Sequence, residues 1–222
     1  MLESLRSDGV QEGRQLVEYK EALPGNSDDD KREFLSDVTS FANAAGGDLI
    51  FGVRERREAG RPTAEIEALA GLPGLNVDAE RLRLEALIRD GIAPRMPLVS
   101  FHKISRDPEP PCFLLRVPRS WVGLHMVTYK NYSRFYSRTS AGKYQLDVHE
   151  IRAGFVAAEV VIERLRRFRV ERVARALALE TPMPIASGPK LILHALPVHI
   201  FPLRRWNEAR RALTTPLNEV LG

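Results

Sequence analysis

The chain of 222 residues holds a single cysteine, Cys112. An internal disulfide and a cysteine-built zinc cluster are therefore excluded. No run approaches the roughly 18 apolar residues of a membrane span, so no membrane partner is expected. The opening residues, MLESLRSDGVQEGR, carry no apolar stretch behind a basic end. No secretory signal is expected, and the expected location is cytoplasmic. The sequence lacks a G-x-x-x-x-G-K-[ST] loop for nucleotide phosphates and a G-x-S-x-G nucleophile turn, so those ATP-binding and hydrolase readings find no residues. His102, His125, His149, His194 and His199 are scattered without an H-x-x-x-H spacing, which argues against a helical zinc site. Internal repeats and low-complexity segments are also missing.

Charge is plentiful and uneven. Residues 1–60 carry 8 Lys/Arg against 13 Asp/Glu, a net of −5, and residues 61–222 carry 25 against 16, a net of +9, which together give the formal +4. A basic later half favours an anionic partner such as nucleic acid.

The apolar pattern divides the chain into elements. RQLVEYK, residues 14–20, alternates as a short strand with Leu16, Glu18 and Lys20 on one face and Val17 and Tyr19 on the other. Ser27 can cap a helix whose first turn holds Asp28, Asp29 and Asp30, the acidic bias that a helix dipole favours. Phe34, Val38, Phe41 and Ala45 recur at helical spacing, with Leu35 and Ala42 widening the stripe. Gly46 and Gly47 end that helix, and DLIFGV follows as a central strand, apolar on both faces. Gly52 inside it points to a close approach by another segment.

Residues 54–76 read as an exposed loop and VDAERLRLEALIRDGI as a second helix. PLVSFHKI and CFLLRV are strands flanking a hairpin connection, SRDPEPP. RFYSR is a further strand. A long helix starts near Asp147 and runs toward Leu179; TPMPIASGP breaks the chain; KLILHALPVHIF resumes as a strand before an Arg-rich tail. The expected fold class is α/β in the mixed α+β sense. A central mixed β-sheet is packed by helices, with a long helical C-terminal extension. The expected division is a domain over residues 1–157 and a basic helix with a small strand and helix appendage over residues 158–222.

LVEYKEAL, FANAAGGDLIFGV, RFYSR and a helix starting near VHEI come in this order. In combination they resemble the Schlafen-type, Alba-like nucleic-acid-binding domain over roughly residues 12–157. The resemblance implies an α/β fold that binds DNA or RNA, with a regulatory role such as transcriptional control. It also implies an alternative, since some Schlafen proteins are endoribonucleases that use three carboxylates. Glu18 matches the second of these. The first belongs at Gly13, with Glu12 displaced by one residue. Glu55 falls where the third would lie. In that reading Glu18 and Glu55 would hold Mg or Mn beside Lys20, whereas binding alone needs no cofactor.

A basic, aromatic strip is the second candidate. YKNYSRFYSRTSAGKY interleaves Lys130, Arg134, Arg138 and Lys143 with tyrosines. Strand alternation puts Arg134, Tyr136 and Arg138 on one face, a pattern that can grip phosphates and stack a base. The third candidate is the long helix, where Arg164, Arg166, Arg167, Arg169, Arg172 and Arg175 nearly encircle the axis. Glu163 with Arg167, and Glu171 with Arg175, stand at the favourable i,i+4 spacing, which suits a surface or oligomer-contact helix. Two-lobed Schlafen cores pair two domains around a basic channel, and only one copy is recognisable here. A homodimer is therefore expected, with Leu191, Ile192, Val198, Ile200 and Phe201 of the appendage among its contacts. A protein-interaction or oligomerisation module is the remaining alternative.

Overall fold

The computed structural model describes residues 16–58, 61–96, 99–121, 123–180, 188 and 193. The expected strand KLILHALPVHIF, apart from Leu193, lies outside these residues, as does Glu12. Among the described residues no helix is long and apolar enough to cross a membrane. The chain divides into two compact units, one ending at Phe155 and one beginning at Val156.

The first unit opens with a parallel β-α-β unit. Strand β1 (Val17–Lys20) leads to helix α1 (Asp28–Asn43), which returns the chain to β2 (Gly46–Phe51), with Glu18 opposite Leu49 and Lys20 opposite Phe51. Ser27 caps α1 by accepting the Asp30 amide at 3.0 Å. The helix ends at Asn43, and Ala45, counted above as part of its apolar stripe, is exposed beyond that end.

β3 (Arg54–Glu58) and β4 (Arg61–Ala68) form an antiparallel two-stranded ribbon. This corrects the expected loop over residues 54–76. The run RERRE has no apolar alternation, so its strand character comes from pairing with β4, not from burial. Helix α2 (Val77–Gly91) and the short β5 (Ile92–Ala93) follow, then β6 (Ser100–Arg106) and β7 (Glu109–Pro118) as a hairpin. β8 (Met126–Tyr129), β9 (Tyr132–Thr139) and β10 (Gly142–Gln145) close the unit before α3 (Val148–Leu177).

Two four-stranded sheets result. The first has the order β1-β2-β7-β6 and is mixed, and the second has the order β10-β9-β8-β5. Alternation along β2 and β7 sends Leu49, Phe51, Phe113, Leu115 and Val117 into the main core with α1 and α2. It sends Ile50, Cys112 and Leu114 to the opposite face, against Val17, Tyr19 and Ile66. Val127, Tyr132 and Tyr136 of the second sheet join the main core, so α1 is covered by both sheets. Residues Phe34 to Ala42 of this helix are all buried, polar ones included.

The double glycine works through close approach. Gly46 has φ +78°, and a Cβ there would lie 2.7 Å from the Arg119 amide nitrogen. At Gly47 a Cβ would come within 2.4 Å of the Leu16 carbonyl and the Phe41 ring. The approach expected at Gly52 is made by Gly71, whose amide donates to the Gly52 carbonyl at 2.8 Å.

Asn43 ties the end of α1 to the second sheet. Its Nδ2 donates to the carbonyls of His125 and Tyr136, both at 2.8 Å, and its Oδ1 accepts the His125 amide at 2.7 Å. The His125 ring is buried, with Nδ1 against the Pro94 carbonyl at 2.8 Å and Nε2 against the Ser120 hydroxyl at 2.7 Å. Burial lowers its pKa, so the ring is held neutral, Nδ1–H donating and Nε2 accepting. Asn43→Ala removes three hydrogen bonds and strands the His125 amide. We expect a loss of about 2–4 kcal/mol, read as a lower urea midpoint at unchanged slope.

Candidate functional site

The first site candidate, Glu18 with Lys20, sits at the meeting of β1, α1 and the second sheet. The Lys20 ammonium lies 2.9 Å from Asp37, 3.3 Å from Glu18 and 3.6 Å from Glu33. Lys143 on β10 approaches the same helix, with its ammonium 2.7 Å from Asp37, 2.9 Å from Glu33 and 2.6 Å from the Ser36 hydroxyl. Arg138 on β9 donates to Glu18 at 2.5 Å, and its guanidinium lies 3.7 Å from the centre of the Phe41 ring. Three carboxylates and three cations are thus interleaved in one cluster. Sequence reasoning missed Asp37 and Glu33. The available signal was a single carboxylate inside FLSDVTSFA, a run of apolar and small residues that has to import cations if it is buried.

Electrostatics follow from the packing. Burial pushes the Glu18 carboxyl up, but Lys20 and Arg138 outweigh it and hold the group below the ordinary glutamate value. Glu33 is likewise held down, with burial opposed by Lys143 and Lys20. Burial works to lower Lys20, and Asp37, Glu18 and Glu33 overcome it, so the ammonium stays charged well above the usual lysine range. Asp37 is almost fully enclosed; desolvation raises its carboxyl against the pull of Lys143 and Lys20. The Arg138 side chain is 0% exposed, and its Nε and Nη1 have no hydrogen-bond partner among the described residues. The Phe41 ring face and the Glu18 carboxylate are its compensation.

Of the carboxylates of the metal reading, the two among the described residues, Glu18 and Glu55, are not brought together. Glu18 is committed to Lys20 and Arg138. Burial and, after it, the Glu55 charge raise the pKa of Tyr19, and alternation puts Tyr19 on the other side of β1 from Glu18. Among the described residues no group of three or more His, Cys, Asp or Glu side chains could hold a metal ion.

The second candidate strip divides along β9. Arg134, Tyr136 and Arg138 do share a face, and that face turns toward α1, increasingly covered along the strand. Arg138 is buried over Phe41. Tyr136 is half-buried, with its hydroxyl against that of Tyr132 and its pKa raised by burial and that contact. Lys143 is held in the cluster above. Arg134 and Lys130 remain exposed. β8 and β9 are joined by the tight turn Lys130–Asn131, with Tyr129 paired to Tyr132 and Lys130 at φ +52°. The guanidiniums of Arg32 and Arg134 lie 5.5 and 5.6 Å from the Tyr132 ring centre. The Lys130 ammonium is 2.5 Å from Asp28 in the first turn of α1. Arg32 was not among the sequence candidates, because only the fold sets the start of α1 beside a turn a hundred residues later.

The Glu18–Arg138 pair has a pH signature. Glu18 lies below its ordinary 4.5, so its contribution is complete above that value and is lost as pH falls through the lower folded value. Asp37, pushed up by burial, works in the opposite sense, and because the Glu18 charge adds to that rise the variant loses part of this opposing contribution as well. Glu18→Gln should cost about 2–4 kcal/mol at pH 7, less than a fully buried pair, since Glu18 is 29% exposed. It should also flatten the fall in urea midpoint between about pH 5 and pH 3.

Comparison with known proteins places this architecture. The Schlafen, AlbA_2 family model matches residues 14–147 of the 222. The DIP2311 protein from Corynebacterium diphtheriae is similar in structure at 20% identity and TM-score 0.39, covering 66% of this chain and 26% of that one. This chain thus spans about a quarter of the length of that protein's chain. The N-terminal domain of a RecG-related protein from Nitrosomonas europaea gives 18% identity and TM-score 0.39, covering 66% of this chain and 85% of that one. No curated protein matches. With more than half of its length matched by the family model, the chain belongs to the Schlafen, AlbA_2 family.

Proposed function

We propose that this domain binds nucleic acid, and that the phosphate backbone lands on the β8–β9 turn and the start of α1. The observation that carries the reading is the cluster in which exposed Arg134 and half-buried Arg32, itself 3.1 Å from Asp29, flank the half-buried Tyr132 ring. Guanidiniums beside an aromatic ring offer bidentate phosphate contacts and a surface for a base or sugar. Among the described residues Arg134 donates to the neighbouring Ser133 carbonyl, at 2.9 Å, and pairs with no carboxylate. Lys130 would exchange Asp28 for a phosphate. Its left-handed backbone supports the reading, because asparagine or glycine suits that turn position better, and a strained lysine there has a purpose in binding.

The same geometry gives Arg138 and Lys143 a different role from the one their place in the strip suggests. They hold β9 and β10 to α1 and act on binding through the fold. Metal-dependent cleavage has less support, since among the described residues Glu18, Glu33 and Asp37 each face an ammonium or guanidinium. We propose as well that the chain functions as a homodimer, a reading supported by the large apolar side chains that α3 leaves exposed beyond Phe155.

The test is binding to tRNA, single-stranded DNA and duplex DNA across a salt series, with and without Mn²⁺. Arg134→Ala should weaken binding and lower the log–log salt slope by roughly 0.7–0.9, as for one lost phosphate contact. Lys130→Asn should weaken binding while keeping or raising the melting temperature, because the turn is relieved. An unchanged slope in Arg134→Ala would move the interface elsewhere. Cleavage that requires Mn²⁺ would replace binding with catalysis.

A further inference from the structure

Beyond Phe155, α3 has two unlike sides. Val161, Leu165, Phe168, Val173 and Ala176 lie on one side and are half-buried or buried. On the other side Val156, Val160, Val170 and Leu177 are 51%, 37%, 62% and 71% exposed. Glu163, Arg167 and Ala174 complete this outer row and are exposed too. From Val156 to Leu177 the row advances by four and three residues in strict alternation. At 100° per residue it stays within a sector of about 100°. Alternating steps of four and three are the seam of a two-stranded helical coil, and here the seam faces water.

We infer that this seam is the contact between two copies of the chain, packed antiparallel about Leu165. The inference rests on the self-association reading and adds the surface and its direction. The two charges at the centre of the row decide the direction. A parallel pair would set Glu163 against Glu163 and Arg167 against Arg167. An antiparallel pair sets Glu163 against Arg167 of the second copy, twice. It also sets Val160 against Val170 and Val156 against Ala174. The row is self-complementary about one point, as a two-fold contact requires, and the same patch serves both copies. Within each chain Arg167 already donates to Glu163 at 2.8 Å, so the two pairs can join into one four-charge ring. Arg164 and Arg166 flank the centre and meet like charges across it, which keeps the contact reversible.

Sedimentation of the full chain over a concentration series tests this. The parent should move toward twice 25.0 kDa. Glu163→Arg alone and Arg167→Glu alone should each raise the dimer dissociation constant by about tenfold or more, because each sets like charges face to face at the centre. An equimolar mixture of the two variants should recover the dimer, since the all-arginine centre of one meets the all-glutamate centre of the other. That recovery also shows both variants are folded. A parent that is monomeric at every concentration ends the self-association reading. A dimer that persists in both single variants keeps self-association and overturns the α3 seam. A mixture no better than its components overturns the antiparallel pairing.

Discussion

A helix covered by sheets on both sides must dispose of every polar group it carries, and α1 sets this condition for the first unit. Its hydroxyls turn inward to its own backbone: Ser36 to the Glu33 carbonyl at 2.7 Å, Thr39 to Leu35 at 3.0 Å and Ser40 to Asp37 at 2.7 Å. Asp37 has no such exit. Its carboxylate needs cations from other elements, and Lys20 and Lys143 arrive from β1 and β10, strands of different sheets. The burial of one carboxylate thus joins three elements. Asn43 makes the equivalent junction at the helix end with neutral hydrogen bonds.

This condition divides the basic residues between two tasks. β9 starts at an open turn and ends beneath α1, so its cations change role along eight residues. Arg134 is exposed and available to a ligand, whereas Arg138, four residues later, is a fully enclosed counter-charge for Glu18. A buried guanidinium with two unpartnered nitrogens tolerates no further loss of partners. Arg138 therefore fixes where β9 lies against α1, and through β9 it sets the position of the Tyr132 ring and the Lys130 turn.

The two units use arginine differently. In the first, beside local pairs such as Arg83 with Glu80, the guanidiniums of Arg54, Arg116 and Arg138 meet carboxylates contributed by distant segments. In α3 the ion pairs of Glu163 with Arg167 and Glu171 with Arg175 are local, at i,i+4 spacing. A helix stabilised by local pairs can keep its outer face for another molecule.

Most elements were legible in the residues because their signals are local. The Ser27 cap and its aspartates, the stripe of Phe34, Val38 and Phe41, the double glycine, the β6–β7 hairpin and the Glu–Arg pairs of α3 each depend on neighbours within a few positions. The β3–β4 ribbon was not legible, because a strand made of charged residues declares itself only through its partner. The site was legible in composition and not in role. Arg134 and Arg138 have the same chemistry and fall on the same face of one strand, and the sequence by itself determines only that much. Which of them meets water depends on where α1 ends and how far the second sheet slides beneath it. Phe41, Glu18 and Asp37 settle this by desolvating their cations, and that is a long-range balance of burial against charge that only the tertiary structure decides.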